Sequence, residues 1–213
     1  MKPLLCLKIL LLLVTSCVYK STLDSNFFCK KLKLSCIQNN RIAYFKTSKG
    51  EFEVKLDGKN NPVTVSNFIR NIKKNMYKNK RFYKIINFPQ VQVIHSGISS
   101  GNNFYKNENQ TLNKYRRNIP LEIKLRKEIE PKYRSQILDP LQVDKLINVF
   151  EKGSLAMVKS GKRNSSSTEF FFVTNKFPEL DGRYSIFGKV VRGIEILNKI
   201  NKEDLIYEII ISD

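Results

Sequence analysis

The sequence predicts a mainly β fold, a closed or nearly closed antiparallel barrel, and three observations carry that prediction. Apolar and polar residues alternate in many short runs, Gly, Asn, Asp and Pro turn signals separate the runs, and only two or three segments keep a helical period. The chain has 213 residues, 41% of them hydrophobic, which suits one sizeable core and is short for two comfortable domains.

The elements follow in order. MKPLLCLKILLLLVTSCVYKS joins a positive start to an apolar run ending at Val14 and small residues before a cysteine, so residues 1–19 have the form of an export signal. Lys8 interrupts the run, which falls short of the roughly 20 apolar residues of a spanning helix. Val14-Thr15-Ser16-Cys17 resembles a bacterial lipobox, which implies lipidation at Cys17 and a membrane tether; simple cleavage and an uncleaved anchor stay open. Residues 20–40 are polar, basic and aperiodic and read as a basic tether, leaving residues 41–213 as the domain. Cys29 and Cys36 fall in that tether, either bridged in an oxidising compartment or left as two free thiols; the spacing dictates neither.

From Arg41 to Gly58, two alternating segments flank Ser48-Lys49-Gly50, a hairpin signature. Pro62 then opens a helix with Val65, Phe68, Ile69 and Ile72 at helical spacing. KRFYKIINFPQVQVIHSGI, from Lys80 to Ile98, reads as two strands about Asn87 to Pro89, and residues 99–118 as a loop. PLQVDKLINVFEKG, from Pro140 to Gly153, looks like a short amphipathic helix inside a long middle insertion. GSLAMVKSG, EFFFVTN and YSIFGKVV are strands, the second preceded by the hydroxyl-rich loop 165–168. GIEILNKI is a further helix and LIYEIIIS a closing strand.

Thirty-eight Lys and Arg against nineteen Asp and Glu give a net charge of +19, a bias towards anionic partners. The basic residues are scattered over CKKLK, NIKKNMYKNKR, NKYRR and IKLRKE, which reads as solvated surface with no specific nucleic-acid site. No metal is expected, because His95 is the single histidine and no Cys-x-x-Cys pair accompanies it.

Several motifs stand in a fixed order: Pro-x-Thr-Val-x-Asn-Phe at Pro62 to Phe68, Phe-x-x-Ile-Ile at Phe82 to Ile86, and Gly-Ser-Leu-Ala-Met at Gly153 to Met157. Phe170-Phe171 and Leu-Asp-Gly-x-Tyr-x-x-Phe-Gly at Leu180 to Gly188 follow. Together they resemble the cyclophilins, from Arg41 to the C-terminus, in a divergent form. The middle RRNIPLEIKL is similar to cyanobacterial and plastid-lineage members. The resemblance implies a closed eight-stranded barrel capped by two helices, peptidyl-prolyl cis-trans isomerisation, proline-containing polypeptides as partners and no cofactor; a monomer is expected.

That reaction must cross a barrier of about 18–20 kcal/mol set by amide resonance. An apolar pocket for the proline ring and a few fixed donors that favour the twisted amide are sufficient. Carried onto this sequence, the resemblance places Phe171, Leu180 and Val93 in the pocket, with Phe82, Met157 and Tyr184 also against substrate. The catalytic polar positions hold Lys84 in place of an arginine and His95 and Glu169 in place of glutamines. Lysine lacks the rigid donor fork of arginine. Glu169 lacks amide donors and adds a charge placed to pair with Lys84. The expectation is an exported isomerase of reduced rate in the periplasm or thylakoid lumen, assisting the folding of exported proteins. Two alternatives are a proline-peptide binding module without useful catalysis and a basic scaffold for anionic partners.

Overall fold

The computed structural model describes residues 24–98, 118–161 and 163–212, and it is mainly β, with twelve strands and four α-helices among those residues. The expected export signal and Cys17 lie outside the described residues.

The first element corrects the tether reading. Residues Ser25–Leu32 form helix α1, opened by Asp24, whose carboxylate accepts from Phe27 N at 2.7 Å, and closed by Lys33 in the left-handed region. Phe28 and Cys29 are buried against Val63 and Tyr133, and Cys29 and Cys36 are bridged by a disulfide. Ile37 N donates to Ser66 Oγ at 2.7 Å, so this segment lies docked on the domain.

Strands β1 (Arg41–Thr47) and β2 (Gly50–Leu56) make the expected hairpin, in register from Arg41 opposite Leu56 to Thr47 opposite Gly50. Gly50 has φ +127°, which explains a glycine at the turn. Helix α2 (Pro62–Lys73) starts at the proline, and its Val65, Phe68, Ile69 and Ile72 all enter the main core. After it come β3 (Lys80–Arg81), β4 (Lys84–Asn87) and β5 (Gln92–Gly97).

The insertion supplies β6 (Ile119–Pro120), β7 (Glu122–Ile123) and β8 (Lys132–Tyr133), with a small core of its own from Leu121, Ile123, Leu125, Ile137 and Leu146. The amphipathic helix expected there shrinks to one turn, α3 (Pro140–Val143), because Leu146 leaves the helical path to bridge Leu125. Next are β9 (Ser154–Lys159), β10 (Asn164–Val173), β11 (Ile186–Arg192), α4 (Ile194–Leu197) and β12 (Leu205–Ile211).

The ladder runs β3-β12-β1-β2-β11-β9-β10-β5-β4, antiparallel throughout, with β6 added beside β10. The curled sheet is therefore not closed by strand pairing, a correction to the closed barrel. Its two end strands, β3 and β4, are consecutive in the chain and joined by Phe82 and Tyr83; counted as arms of one bent strand they make the path eight strands long. Phe45, Phe52, Phe68, Phe170, Phe172 and Phe187 fill the concave side with mostly edge-to-face contacts, for example Phe68 and Phe170 at 5.4 Å and 89°.

The hydroxyl-rich segment 165–168 is part of β10, not a loop. Ser167 O accepts from Asn67 and Asn71 Nδ2 at 2.7 and 2.6 Å, and Thr168 Oγ1 donates to Ile98 O at 3.0 Å, so the polar stretch is buried with its partners.

One buried carboxylate ties the insertion to α2. Glu122 accepts from Val63 N at 3.1 Å, Thr64 N at 2.8 Å, Thr64 Oγ1 at 2.6 Å and Tyr133 Oη at 3.0 Å. Burial pushes its pKa up to about 7 against the pull of these donors. Glu122→Gln leaves a single acceptor oxygen for two helix N–H groups, and an unsatisfied buried donor costs about 1–3 kcal/mol. The urea midpoint of that variant should fall accordingly with an unchanged slope, and a midpoint equal to the unmodified protein would show that the tie contributes nothing.

Candidate active site

The pleat separates two populations of side chains. Phe170 and Phe172 point into the main core with Met157 and Leu155, while Phe171 points to the other face with Ala156 and Ile186. Across that outer face the register aligns Lys84 on β4, His95 on β5, Phe171 on β10 and Ala156 on β9 in one row.

Phe171, 2% exposed, is held between rings: His95 stacks at 5.4 Å, Phe150 at 5.7 Å, and Tyr184 meets it edge-on at 5.2 Å. Above it opens a cavity of about 260 Å3. Val93, His95, Phe171, Leu180 and Tyr184, all expected at the site, line it together. So do residues that the sequence reading missed: Phe88 and Phe177, in ring contact at 5.0 Å, and Val158 and Lys159 from the end of β9. Lys159 Nζ stands 5.7 Å from the Tyr184 ring centroid. Leu180 arrives on the short 3-10 turn Pro178–Leu180, whose position is secured by Asp181 accepting from Phe150 N at 2.6 Å.

Two expected contacts are corrected. Phe82 and Met157 are fully buried in the main core and do not line the cavity. Met157 pairs with Phe170 across the ladder and so shares its inward direction. The pocket side of β9 belongs to Val158, a signal that strand alternation carries once the register is known.

The polar positions lie beside this floor. Glu169 is buried and accepts from Tyr83 Oη at 3.2 Å. The ion pair expected between Glu169 and Lys84 is not formed, and Lys84 is exposed. Gly97 stands opposite Glu169 with φ +97°; a Cβ there would lie 2.1 Å from Thr168 O, so only glycine admits this close approach of β5 to β10.

His95 titrates low, at about 4, first because of burial and second because of the Lys84 charge. It is therefore neutral at physiological pH, where one ring nitrogen donates and the other accepts. Its folded value lies below the usual 6.5, so between pH 6.5 and 4 this group binds more protons in the unfolded state and its contribution to stability is lost as pH falls, against Glu122, whose raised value acts in the opposite sense. His95→Gln should remove that loss, so its stability relative to the unmodified protein should rise from pH 7.5 to 4.5 in urea titrations at pH 4.5, 6 and 7.5. Parallel curves would contradict the assignment.

A larger groove, about 390 Å3, lies over Lys55, Asn148 and Lys189 and contains none of the residues expected at the site. Its lining carries no counterpart of the aromatic floor.

The cyclophilin type peptidyl-prolyl cis-trans isomerase family matches residues 42–210. A Helicobacter pylori peptidyl-prolyl cis-trans isomerase is 25% identical over 185 residues, which cover 85% of this chain and 93% of that protein. A Synechocystis protein, provisionally named a thylakoid lumen peptidyl-prolyl cis-trans isomerase, is 30% identical over 170 residues, 75% of this chain and 44% of its own. Among solved structures, a Cryptosporidium parvum cyclophilin type peptidyl-prolyl cis-trans isomerase superposes with a TM-score of 0.56 at 22% identity, covering 82% of this chain and 99% of that one. The fold and the family match over the whole sheet agree: the chain belongs to the cyclophilin-type peptidyl-prolyl cis-trans isomerases.

Proposed function

We propose that the outer-face cavity binds proline-containing peptides and catalyses rotation of the Xaa-Pro bond, at a rate below that of arginine-bearing cyclophilins, on proteins of an export compartment. The observation that carries the reading is the cavity of about 260 Å3 floored by Phe171 and walled by Leu180 and Tyr184, a size and apolarity suited to a proline ring. A related Cryptosporidium parvum structure was determined in the presence of the dipeptide Ala-Pro, which supports the same ligand class here.

The chemistry asks little of the chain. The apolar floor takes the ring, and the neutral His95 and the Lys84 ammonium on the adjoining strands offer donors towards the rotating amide. The reduced rate rests on Lys84, which presents a point charge where a rigid fork would hold two contacts at once. Export is supported by the N-terminal apolar run and by the Synechocystis relative's name; no helix among the described residues is long and apolar enough to cross a membrane. The same Lys84 and the occupied Glu169 favour a second reading, a proline-peptide binding module without useful catalysis.

Exchange spectroscopy by NMR on an Ala-Phe-Pro-Ala peptide separates the two. Exchange cross-peaks faster than the uncatalysed tens of seconds support the isomerase. Binding shifts without faster exchange support the module, and neither effect would remove both. Fractionation with mass spectrometry tests location: intact Met1 on soluble cytoplasmic protein would end the export reading.

A further inference from the structure

The cavity's charge is one-sided. Of the side chains that line it, His95 is neutral and Lys159 carries a positive charge; Tyr184, the remaining ionisable one, has its ring beside the Lys159 ammonium. A second cation stands at the other side, since Lys84 lies on β4 directly beyond His95. In the strand order β4-β5-β10-β9, the two lysines occupy the outer strands and the Phe171 floor the inner pair. Neither lysine has a carboxylate within ion-pair distance among the described residues.

The acidic groups nearby do not cancel this. Glu169 is buried and engaged by Tyr83 Oη. Glu179, on the rim turn, is exposed, does not line the cavity, and has Arg183 against its own backbone carbonyl. Lys84 also bears on its neighbour across the ladder, its charge adding to burial in holding His95 unprotonated. An apolar floor with a cation on each flank attracts a ligand that is apolar in the middle and anionic beside it.

We propose that Lys159 and Lys84 set substrate choice at this site, favouring proline peptides with a negatively charged side chain next to the proline. This rests on the reading of the cavity as a proline-peptide site. The shared chemistry is the anion, supplied either by Glu or Asp or by a phosphorylated Ser. Lys159 acts on whichever neighbour of the proline lies towards β9, and Lys84 on the one towards β4. Each contact is made partly in solvent, so each contributes a modest factor and both are screened by salt.

The test titrates four peptides by NMR: Ala-Ala-Pro-Ala, Ala-Glu-Pro-Ala, Ala-Lys-Pro-Ala and Ala-phosphoSer-Pro-Ala. The neutral peptide reports on the pocket itself, so its failure to bind would sink the site reading, whereas the ratio between the Glu and Lys peptides reports on this inference alone. The Glu peptide should bind about three- to tenfold more tightly than the Lys peptide at low salt, with the ratio shrinking towards one at 0.5 M salt by roughly the screening expected of exposed charges. Of Lys159→Met and Lys84→Met, compared with the neutral peptide in each variant, the one that removes the lysine facing the residue before the proline should reduce that ratio. A phosphoserine peptide tighter than the Glu peptide assigns phosphorylated clients; equal affinities assign acidic ones. Glu and Lys peptides within twofold of each other, or a ratio that survives both substitutions, would overturn the proposal.

Discussion

Replacing Phe171 with alanine should weaken proline-peptide binding by about 10- to 150-fold, the equivalent of roughly 1.5–3 kcal/mol of buried aromatic surface. The ring is the floor of the cavity, and three other rings pack on it, His95, Phe150 and Tyr184. Its removal therefore has a second consequence. Truncating a buried Phe costs about 3–5 kcal/mol of stability, since the stack above and below collapses only in part. Binding should accordingly be measured on the fraction that remains folded, by near-ultraviolet circular dichroism beside the NMR titration. Tyr184→Phe serves as the control, because it keeps the edge-on ring contact and changes only a hydroxyl. If folded Phe171→Ala protein binds the peptide as tightly as the unmodified chain, the cavity on the outer face is not where the proline ring sits.

The parts of this fold that alternate were legible. The β1–β2 hairpin, the β4–β5 pair about Asn87 and Pro89, and α2 from Pro62 all stand where turn chemistry and period put them. What escaped was structure made by distant partners. Helix α1 offers only Phe28, Cys29 and Leu32 to a core, too little to read as amphipathic, and it is ordered by Val63 and Tyr133. Segment 165–168 looked like a loop because hydroxyls usually face water; here two asparagines of α2 satisfy its backbone.

The site shows the same division. Phe171 was placed by the resemblance, with which alternation within β10 agrees, but the side to which β9 turns Met157 depends on its register with Phe170, which periodicity along one strand cannot supply. Phe88 and Phe177 meet only because the β4–β5 turn and the segment after β10 converge. Lys159 went unnoticed for a similar reason: its importance is positional, at a strand end beside Tyr184.

Lys84→Arg should raise the isomerisation rate by about 10- to 100-fold while peptide affinity changes little. Removing one preorganised donor from a catalytic site typically costs about 10² to 10³ in rate, and lysine already keeps the charge, so the gain from restoring the fork is smaller than the full figure. The structure decides whether the single substitution suffices. With Glu169 buried and occupied by Tyr83 Oη, an arginine at position 84 keeps its guanidinium for substrate, since no ion pair draws it towards Glu169. Its neighbour across the ladder is His95, uncharged at neutral pH, which adds a polar edge without a competing negative charge. The added donors act mainly on the twisted amide, so the effect belongs in kcat more than in KM. Exchange spectroscopy on one sample gives both quantities. Two results would overturn the argument: an unmodified protein as fast as an arginine-bearing cyclophilin, or a Lys84→Arg variant that binds peptide and gains no rate. A gain that appears only when Glu169→Gln is added would mean that the arginine reaches Glu169 in solution, displacing Tyr83 from the contact that the structure shows.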